Sequence, residues 1–348
     1  MSITIDNKLI SRFSTLLDDA KKIVVISHMN PDGDAVGSSL ACLHWLQSFY
    51  YHDNNNIKLS VILPHKCPSD ALYLPSSDMI LSAENNIQEC ERLISEADLI
   101  FGVDFNNASR VQPFDSYITE SRAKKILVDH HHNPDRTLFD CVISYPDLSS
   151  TCELIFWIFY QIGGSVSIND DVAKCLYHGI NTDTGCFAYA CEDSSLYEAT
   201  AILMEHSLNV SEVHNTIVNN YSTTKMRILG YLLSERLKIF EEEGFAYIYM
   251  SAEELSLFGG SAEDLEGLVN YTLLMKPIQV GAFVKQTDDR VRISLRSKND
   301  FDVNLFASKY FGGGGHSKAA GARSQYDFNT TLQILEKNML NELKKHKG

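Results

Sequence analysis

One stretch near the N-terminus constrains the chain more than any other. Residues 23–27 read Ile-Val-Val-Ile-Ser, which is typical of a buried strand, and the apolar spacing of residues 35–50 predicts a helix. Proline and glycine interrupt regular structure between the two. The connecting loop lies at the carboxyl end of the strand, where open α/β sheets bind ligands. It carries three polar side chains: His28, Asp32 and Asp34.

The spacing of the two aspartates favours a metal site. Gly33 is expected to let the backbone turn sharply enough for the carboxylates of Asp32 and Asp34 to converge. Two carboxylates at that separation repel each other and lose hydration energy, and a bound cation removes both penalties. A solvent-exposed Asp-Gly turn would explain these two residues alone, but the histidine and the strand in front of them favour the metal site.

The composition restricts the class of ligand. The chain has 348 residues, enough for two domains of about 150 residues each, and its formal net charge is -15. No basic run is longer than Lys344-Lys345, which argues against a surface that follows a long nucleic acid. A small anionic substrate, held by metal and a few cations, fits this charge balance better.

The sequence also predicts a cytoplasmic protein with no membrane partner. The longest apolar run, residues 154–160, is too short to cross a bilayer, and the N-terminal residues lack the apolar core of a signal peptide. None of the eight cysteines forms a Cys-x-x-Cys pair, so a zinc knuckle is not indicated. Buried free thiols in a reducing compartment are the simplest expectation.

Alternating strand and helix patterns predict an α/β fold with a parallel sheet in the first half of the chain. The predicted strands are residues 23–27, 57–63, 98–103 and 126–128. The predicted helices are residues 5–21, 35–50, 154–162 and 170–179. Ser150 and Glu153 fit a capping box at the start of the third of these helices.

A smaller α/β domain with a mixed sheet is predicted after a helical connection. Helical periodicity extends from residue 195 to about residue 241, with breaks near residues 207–209 and 219–221. Strand patterns and one helical pattern follow, at residues 245–250, 278–285, 290–296 and 302–310. The predicted division is a metal-binding catalytic domain at 1–195, a helical linker at 196–225 and a substrate-binding domain at 226–348, with the active site in the cleft between the two domains.

More acidic and histidine residues follow the predicted strands and one helix: Asp104 after strand 98–103, Asp129, His130 and His131 after strand 126–128, and Asp183 at a helix end. An isolated aspartate at a strand end is usually a turn or cap residue, but the shared location favours a single site. Oxygen ligands with one or two imidazoles suit Mn²⁺ or Mg²⁺. The number of carboxylates suggests two ions, about 3.5–4 Å apart.

A glycine-rich segment at residues 311–321 is the second notable feature. Four consecutive glycines let the backbone approach a ligand closely, and their N–H groups can form a nest that binds anions. The alternative is a flexible linker, although a linker rarely continues into a compact Ala-Ala-Gly turn like the one expected at 319–321. The candidate substrate-binding residues here are Gly313, Gly314, Gly315, His316 and Lys318.

The strand just before this segment alternates in polarity as an exposed edge strand would. Arg292, Ser294 and Arg296 are expected to share one of its faces. Arg296 can hold a phosphate with two parallel hydrogen bonds, and an ordinary surface arginine is the alternative.

These motifs resemble the DHH phosphoesterase superfamily, which is named for the triplet seen here as Asp129-His130-His131. The similarity covers nearly the whole chain. The run from His28 to Ser38 is similar to the first family motif, Asp104 to the second, and Thr182 to Gly185 to the fourth. The glycine-rich segment is similar to the DHH-associated C-terminal domain. Within the superfamily, the length of the chain is most similar to that of nanoRNase proteins.

The resemblance implies two metal ions, Mn²⁺ with Mg²⁺ or Co²⁺ as alternatives. The implied ligands are His28 and Asp32 for one ion, Asp34, His130 and Asp183 for the other, and Asp104 as a bridge between them. Asp129 would orient the imidazoles from the next layer, and His131 would act as a general acid beside the scissile phosphate.

The implied function is a Mn²⁺-dependent phosphodiesterase that degrades very short RNA to mononucleotides and also dephosphorylates 3′-phosphoadenosine 5′-phosphate to AMP. The expected partners are short RNA oligonucleotides and small nucleotides, without long nucleic acid or membrane, and a homodimer is compatible with the sequence. The alternatives are a phosphodiesterase for linear or cyclic signalling dinucleotides, a polyphosphate or pyrophosphate hydrolase, and a nucleotide sensor without activity.

Overall fold

In the computed structural model, which describes residues 3–52, 56–219, 221–287 and 290–347, the chain divides into two units, Met1–Asn220 and Tyr221–Gly348. Within the described part of the first unit, six strands form one sheet in which every neighbouring pair is parallel. These strands are β1 Lys22–Ile26, β2 Lys58–Leu63, β3 Leu81–Ser82, β4 Leu99–Val103, β5 Lys124–Asp129 and β6 Cys141–Ser144. Their order is β3-β2-β1-β4-β5-β6, so the chain reverses direction across the sheet between β1 and β4.

Helices cover both faces of this sheet. They are α1 Asn7–Asp18, α2 Gly33–Trp45, α3 Ala83–Glu96, α4 Asp115–Glu120, α5 Thr151–Gly163, α6 Asp170–Asp183, α7 Ser194–Leu203 and α8 Val210–Val218. Because side chains alternate along a strand, Ile23 and Val25 of β1 pack with α1, α2, α5 and α6, while Val24 and Ile26 pack with α3 and α4. Burial on both faces explains why the central strands are apolar without interruption.

Helices α2 and α6 approach each other closely because both carry glycine at the contact. A Cβ atom added to Gly37 would lie 2.5 Å from the carbonyl oxygen of Cys175. One added to Gly179 would lie 2.2 Å from Cys152 Sγ and 2.9 Å from Asp34 Oδ1. These distances leave no room for a side chain, so the glycines bring the first turn of α2 next to the last turns of α6.

The second unit is built on a mixed sheet. Its strands are β7 Leu237–Phe240, β8 Phe245–Met250, β9 Val280–Thr287, β10 Arg290–Ser297, β11 Gly314–Gly315 and β12 Ala319–Ser324. Its helices are α9 Thr223–Glu235, α10 Ala252–Leu257, α11 Val303–Phe311 and α12 Phe328–Lys347. The order is β11-β12-β10-β9-β8-β7, and among these described strands only β8 and β9 run parallel. The predicted fold class, a parallel sheet followed by a mixed sheet, is confirmed.

Several local predictions were wrong. Residues 237–240 form strand β7 rather than the end of a helix, and residues 319–321 lie in strand β12 rather than in a turn. Strand β10 is not at an edge, since it pairs with β9 on one side and β12 on the other. Strands β3 and β6 and the long helix α12 were not predicted.

Helices α7 and α8 lie in the segment predicted to link the domains. Leu196, Ala199 and Leu203 of α7 and Val213 of α8 are buried in the core of the first unit. The division of the chain at residues 195 and 225 stays a prediction. Among the described residues, no helix is long and apolar enough to cross a membrane. The described cysteines carry free thiols, of which five are buried.

We expect Gly179→Ala to destabilise the first unit. The added methyl group has no space between α6 and Cys152, and overpacking of this kind costs about 1–3 kcal/mol. Urea unfolding followed by circular dichroism, in EDTA, measures the effect. Gly230→Ala is the control, because Gly230 lies in α9 with no atom near its Cβ position, and alanine there is expected to stabilise by about 0.5–1 kcal/mol. An unchanged midpoint for Gly179→Ala would contradict the tight contact.

Candidate metal centre

The predicted ligands converge where the strand order reverses. Strands β1, β4 and β5 are neighbours, and the residues that follow their carboxyl ends include His28, Asp104 and His130. Parallel strands end at the same edge of a sheet, so these three side chains meet there. Ligands bind at this location in open α/β sheets because the loops on either side of the reversal diverge and leave a crevice.

Two further carboxylates come from helices. Asp34 lies in the first turn of α2 and is fully buried, and Asp183 is the last residue of α6. Asp34 accepts hydrogen bonds from the backbone N–H groups of Thr151, at 2.7 Å, and Cys152, at 2.9 Å. These N–H groups form the N-terminus of α5, where a helix has unpaired donors and a partial positive charge. Helix α5 therefore holds Asp34 in place.

The carboxylate and imidazole groups lie within ligand distance of one another. His28 Nε2 is 3.3 Å from Asp104 Oδ2 and 3.7 Å from Asp32 Oδ1. His130 Nε2 is 3.3 Å from Asp183 Oδ2 and 3.8 Å from Asp104 Oδ1. In each of three groups, one ligand atom per residue lies within 4.8 Å of the others: His28, Asp32 and Asp104; Asp34, His130 and Asp183; and Asp104, His130 and His131.

Two of the histidines present Nε2 to the centre for a local reason. His28 Nδ1 lies 2.9 Å from the carbonyl oxygen of Met29, and His130 Nδ1 lies 3.2 Å from that of Leu148. A carbonyl can only accept a hydrogen bond, so Nδ1 must carry the proton in both rings. Nε2 then has a free electron pair for a metal, the usual arrangement of metal-binding histidines.

Asp104 occupies an uncommon backbone conformation. Its φ is +62°, in the left-handed region that a non-glycine residue rarely adopts. Its backbone N–H donates to the carbonyl oxygen of Val128, and its Oδ1 accepts a hydrogen bond from Thr151 Oγ1 at 2.9 Å. These contacts, together with its burial, hold the carboxylate toward both His28 and His130.

The charges in the centre explain why a cation fits there. Burial, followed by the charge of Asp104, raises the pKa of Asp34 well above its usual value, and burial with the charge of Asp34 does the same for Asp183. Burial alone would raise the pKa of Asp104, but the hydrogen bond and charge of His28 hold it below its usual range. Carboxylates that repel one another in a buried site are stabilised by a divalent ion, and the oxygen-rich donor set suits Mn²⁺ or Mg²⁺.

Asp129 and His131 form a pair beside these ligands. His131 Nδ1 lies 2.7 Å from Asp129 Oδ1, and Asp129 is fully buried. Burial alone would lower the pKa of His131, but the hydrogen bond to Asp129 and the charge of Asp104 raise it, against an opposing effect from Arg110. A buried carboxylate in this position orients an imidazole and stabilises its charged form.

The substrate-binding candidates lie in the second unit. Arg296 lies on β10, on the same face as Arg292 and Ser294, and its Nη1 donates to the carbonyl oxygen of Leu295 at 3.0 Å. The glycines are ordered rather than linker-like, because Gly314 and Gly315 pair with β12 as strand β11. A tight hairpin follows, with hydrogen bonds in both directions between the backbones of His316 and Ala319. Lys318 contacts the carbonyl oxygen of Asn299.

Family models match both units. The model described as the DHH family, N-terminal domain, matches residues 22–180, and the DHHA1 domain model matches residues 244–344. The crystal structure of an exopolyphosphatase-related protein from Bacteroides fragilis is 31% identical, with a TM-score of 0.94 over 100% of both chains. The chain belongs to the DHH family. It is a phosphoesterase, as the motifs predicted.

Two other relatives of this DHH protein are more distant. The bifunctional oligoribonuclease and PAP phosphatase NrnA of Bacillus subtilis is 27% identical over 316 residues, which cover 90% of this chain and 92% of that protein. A crystal structure of the exonuclease RecJ bound to manganese is 14% identical, with a TM-score of 0.54 over 97% of this chain and 96% of that one. The similarity to RecJ supports the fold alone.

Two local predictions at the DHH centre need correction. Gly33 is not the residue that turns the chain, since it begins α2 and the left-handed φ of +53° belongs to Asn30. Gly33 is instead required for close packing, because a Cβ atom there would lie 2.4 Å from the side chain of Thr182. Ser150 does cap α5, but Glu153 bonds the backbone N–H of Ser149 rather than completing the capping box.

Sequence analysis missed His178. This residue is fully buried in α6, its Nδ1 lies 3.1 Å from the hydroxyl group of Tyr73, and its Nε2 has no hydrogen-bond partner in the described structure. Nε2 lies beside Gly33, where an added Cβ would be 2.8 Å away. The only signal in the sequence is its position five residues before Asp183, and an isolated histidine there is ordinarily a core residue.

The burial of His178 predicts a dependence of stability on pH. Burial lowers its pKa to about 4, and the charge of Asp32 opposes part of that shift. The unfolded chain therefore takes up this proton near pH 6.5, whereas the folded chain takes it up only near pH 4. The free energy of unfolding should thus fall as the pH decreases between these values, by up to about 3 kcal/mol.

His178→Gln should abolish this contribution while retaining a polar contact to Tyr73. Urea unfolding in EDTA at several pH values between 4 and 7 measures it as the difference between the wild-type and variant curves. His214→Gln replaces an exposed histidine of the same unit and serves as the control. Parallel wild-type and His178→Gln curves would contradict the prediction.

Proposed function

We propose that the protein is a metal-dependent phosphodiesterase that degrades very short RNA to mononucleotides and also dephosphorylates 3′-phosphoadenosine 5′-phosphate to AMP. The observation that carries this proposal is the convergence of seven carboxylate and imidazole side chains in three overlapping groups, two of which share Asp104. The name of the Bacillus subtilis relative, bifunctional oligoribonuclease and PAP phosphatase, supports both substrates.

The proposed ligands form two overlapping sets. His28 and Asp32 would hold one ion and Asp104 would be shared, while the second set is Asp34, His130 and Asp183. When bound, divalent ions lower the pKa of a water molecule and neutralise charge that develops on phosphoryl oxygens. We propose Mn²⁺ as the ion, because the donor set combines carboxylates with imidazole.

His131 would move a proton in the reaction. Asp129 accepts from its Nδ1 and stabilises an imidazolium, so Nε2 can donate a proton to the leaving oxygen. The Asp129 carboxylate also keeps the ring in one orientation, which is needed for a proton transfer at a defined atom.

The second unit would bind the part of the substrate that does not react. We propose that Arg296, Gly313, Gly314, Gly315, His316 and Lys318 contact a phosphate or nucleoside. The scarcity of basic runs supports short oligonucleotides and small nucleotides over long nucleic acid. A cytoplasmic location and a homodimer remain part of the proposal.

A second candidate is polyphosphate hydrolysis. The 31% identical Bacteroides fragilis structure is described as an exopolyphosphatase-related protein, and polyphosphate, like RNA, presents non-bridging phosphoryl oxygens to a metal centre. Polyphosphate contains no nucleoside, so one assay with both substrates separates polyphosphate hydrolysis from RNA degradation.

The test uses purified protein with Mn²⁺ and 5′-labelled RNAs from two to about 24 nucleotides, with 3′-phosphoadenosine 5′-phosphate and polyphosphate in parallel. We expect the shortest RNAs to be degraded fastest and EDTA to abolish the activity. Asp104→Asn keeps the size of the side chain and tolerates a left-handed backbone, yet should reduce the rate and Mn²⁺ binding by more than about 100-fold. Equal rates on 2- and 24-nucleotide RNA, or turnover of polyphosphate alone, would overturn the proposal.

Arg296→Ala should mainly raise KM for a dinucleotide. A hydrogen bond from a charged group contributes about 1.5–3 kcal/mol, which corresponds to about 10–100-fold in KM, whereas kcat depends on the metal centre and should change little. Lys337→Ala, an exposed lysine of α12, is the charge-matched control. A loss in kcat with unchanged KM would place Arg296 outside the substrate-binding role.

A further inference from the structure

Three cationic side chains form a row across the second sheet. The register pairs Lys285 of β9 with Arg292 of β10, and Arg292 with Arg323 of β12. Directly paired residues project from the same face of a sheet. Like charges in paired positions destabilise a sheet, so this arrangement calls for an opposite charge nearby. The row is notable in a chain whose net charge is -15.

The described residues supply only part of that opposite charge. Lys285 is buried and its Nζ lies 2.5 Å from Glu266 Oε1. Among the described residues, no ion pair joins a carboxylate to Arg292 or Arg323. The Nε atom of Arg292 is buried and has no hydrogen-bond partner in the same part of the chain. The positive charges of Arg292 and Arg323 are thus available to a ligand.

A cavity of about 500 Å³ lies over this row. Ser294, Gly321 and Ala322 contribute to its lining, and the glycines at 312–314 lie at its side. The space above Gly321 is open, since the nearest atom to an added Cβ there is the carbonyl oxygen of Ile293, at 3.6 Å. The volume falls within the range of about 300–1,000 Å³ typical of small-ligand sites.

The row lies on the same face of β10 as Arg296. Arg292 and Arg296 are four residues apart, which is about 13 Å along a strand, and the uncharged Ser294 lies between them. Cations this far apart contact different phosphates of one strand, and the uncharged Ser294 between them suits the nucleoside part of an oligonucleotide better than polyphosphate, in which every unit is charged. An anion at the row is therefore a different phosphate from one bound by Arg296.

We propose that Arg292 and Arg323, beside the Glu266-paired Lys285, bind a second backbone phosphate of the RNA substrate, so that oligonucleotides of about five nucleotides bind more tightly than dinucleotides. The proposal rests on the proposed function, because it assigns a further contact of the same substrate. In this proposal the cationic row determines which RNA lengths bind tightly and takes no part in the reaction itself.

The test measures binding of 5′-fluorescein RNAs of two and five nucleotides to the full chain by fluorescence anisotropy, in EDTA so that no turnover occurs. We expect Arg292→Gln and Arg323→Gln each to weaken binding of the pentanucleotide about 10-fold, with less than a twofold change for the dinucleotide. The slope of log K against log salt concentration should fall by about 0.7, the value for one lost phosphate contact on a single strand, which a purely structural role would not change.

Lys337→Gln serves as the charge-matched control, and Arg323 provides an exposed second variant if Arg292→Gln fails to fold. Equal weakening for both RNA lengths, no weakening, or the same loss in Lys337→Gln would overturn the inference. The inference would also be overturned if short polyphosphate displaced the labelled pentanucleotide from the row more strongly than unlabelled RNA does.

Turnover of the same RNAs by the wild-type protein in Mn²⁺ reports on the proposed function separately. Length-dependent binding without turnover would overturn the proposed function and support the row. Turnover with length-independent binding would support the proposed function and overturn the inference about the row.

Discussion

The first unit depends on one buried carboxylate. Asp34 has no exposed surface, and the N-terminal N–H groups of Thr151 and Cys152, which bind both of its oxygens, offset part of the cost of burying its charge. This contact fixes the start of α5 against the start of α2. Gly179 lets α6 approach the same carboxylate, which brings Asp183 into the centre. The packing of three helices and the positions of the proposed ligands Asp34 and Asp183 therefore depend on the same region of contact.

The sequence was sufficient to predict the central strands and the convergence of the polar residues that follow them. Strands β1, β4 and β5 are buried on both faces, so their apolar runs are continuous, and the polar residue after each run stands out. Strands β3 and β6 have two and four residues, too few to show a period. His178 could not be predicted because its surroundings come from Tyr73 and Gly33, which are distant in sequence.

The function of Gly33 was inferred from the wrong property of glycine. A sequence shows that a glycine is free to adopt unusual backbone angles. It does not show which other element packs against that glycine, and the missing side chain matters only where such an element lies close by. Gly33 needs no left-handed backbone but leaves room for Thr182, and Gly313 would meet the carbonyl oxygen of Gly321 within 2.3 Å if it carried a Cβ. Close contacts of this kind are a property of tertiary packing, which sequence spacing does not report.

Net charge conceals how the two units differ. The first unit gathers buried carboxylates around imidazoles, a donor set that favours cations, while the sheet of the second presents Lys285, Arg292 and Arg323 in register. An overall charge of -15 describes neither surface, because the repulsion within each cluster is set by distances of a few ångströms. Strand register, rather than composition, creates the cationic row: a shift of β10 by one residue would move Arg292 into the apolar core and replace it with Val291. Correct pairing of β9, β10 and β12 is therefore a condition both for the stability of the second unit and for its ability to bind an anion.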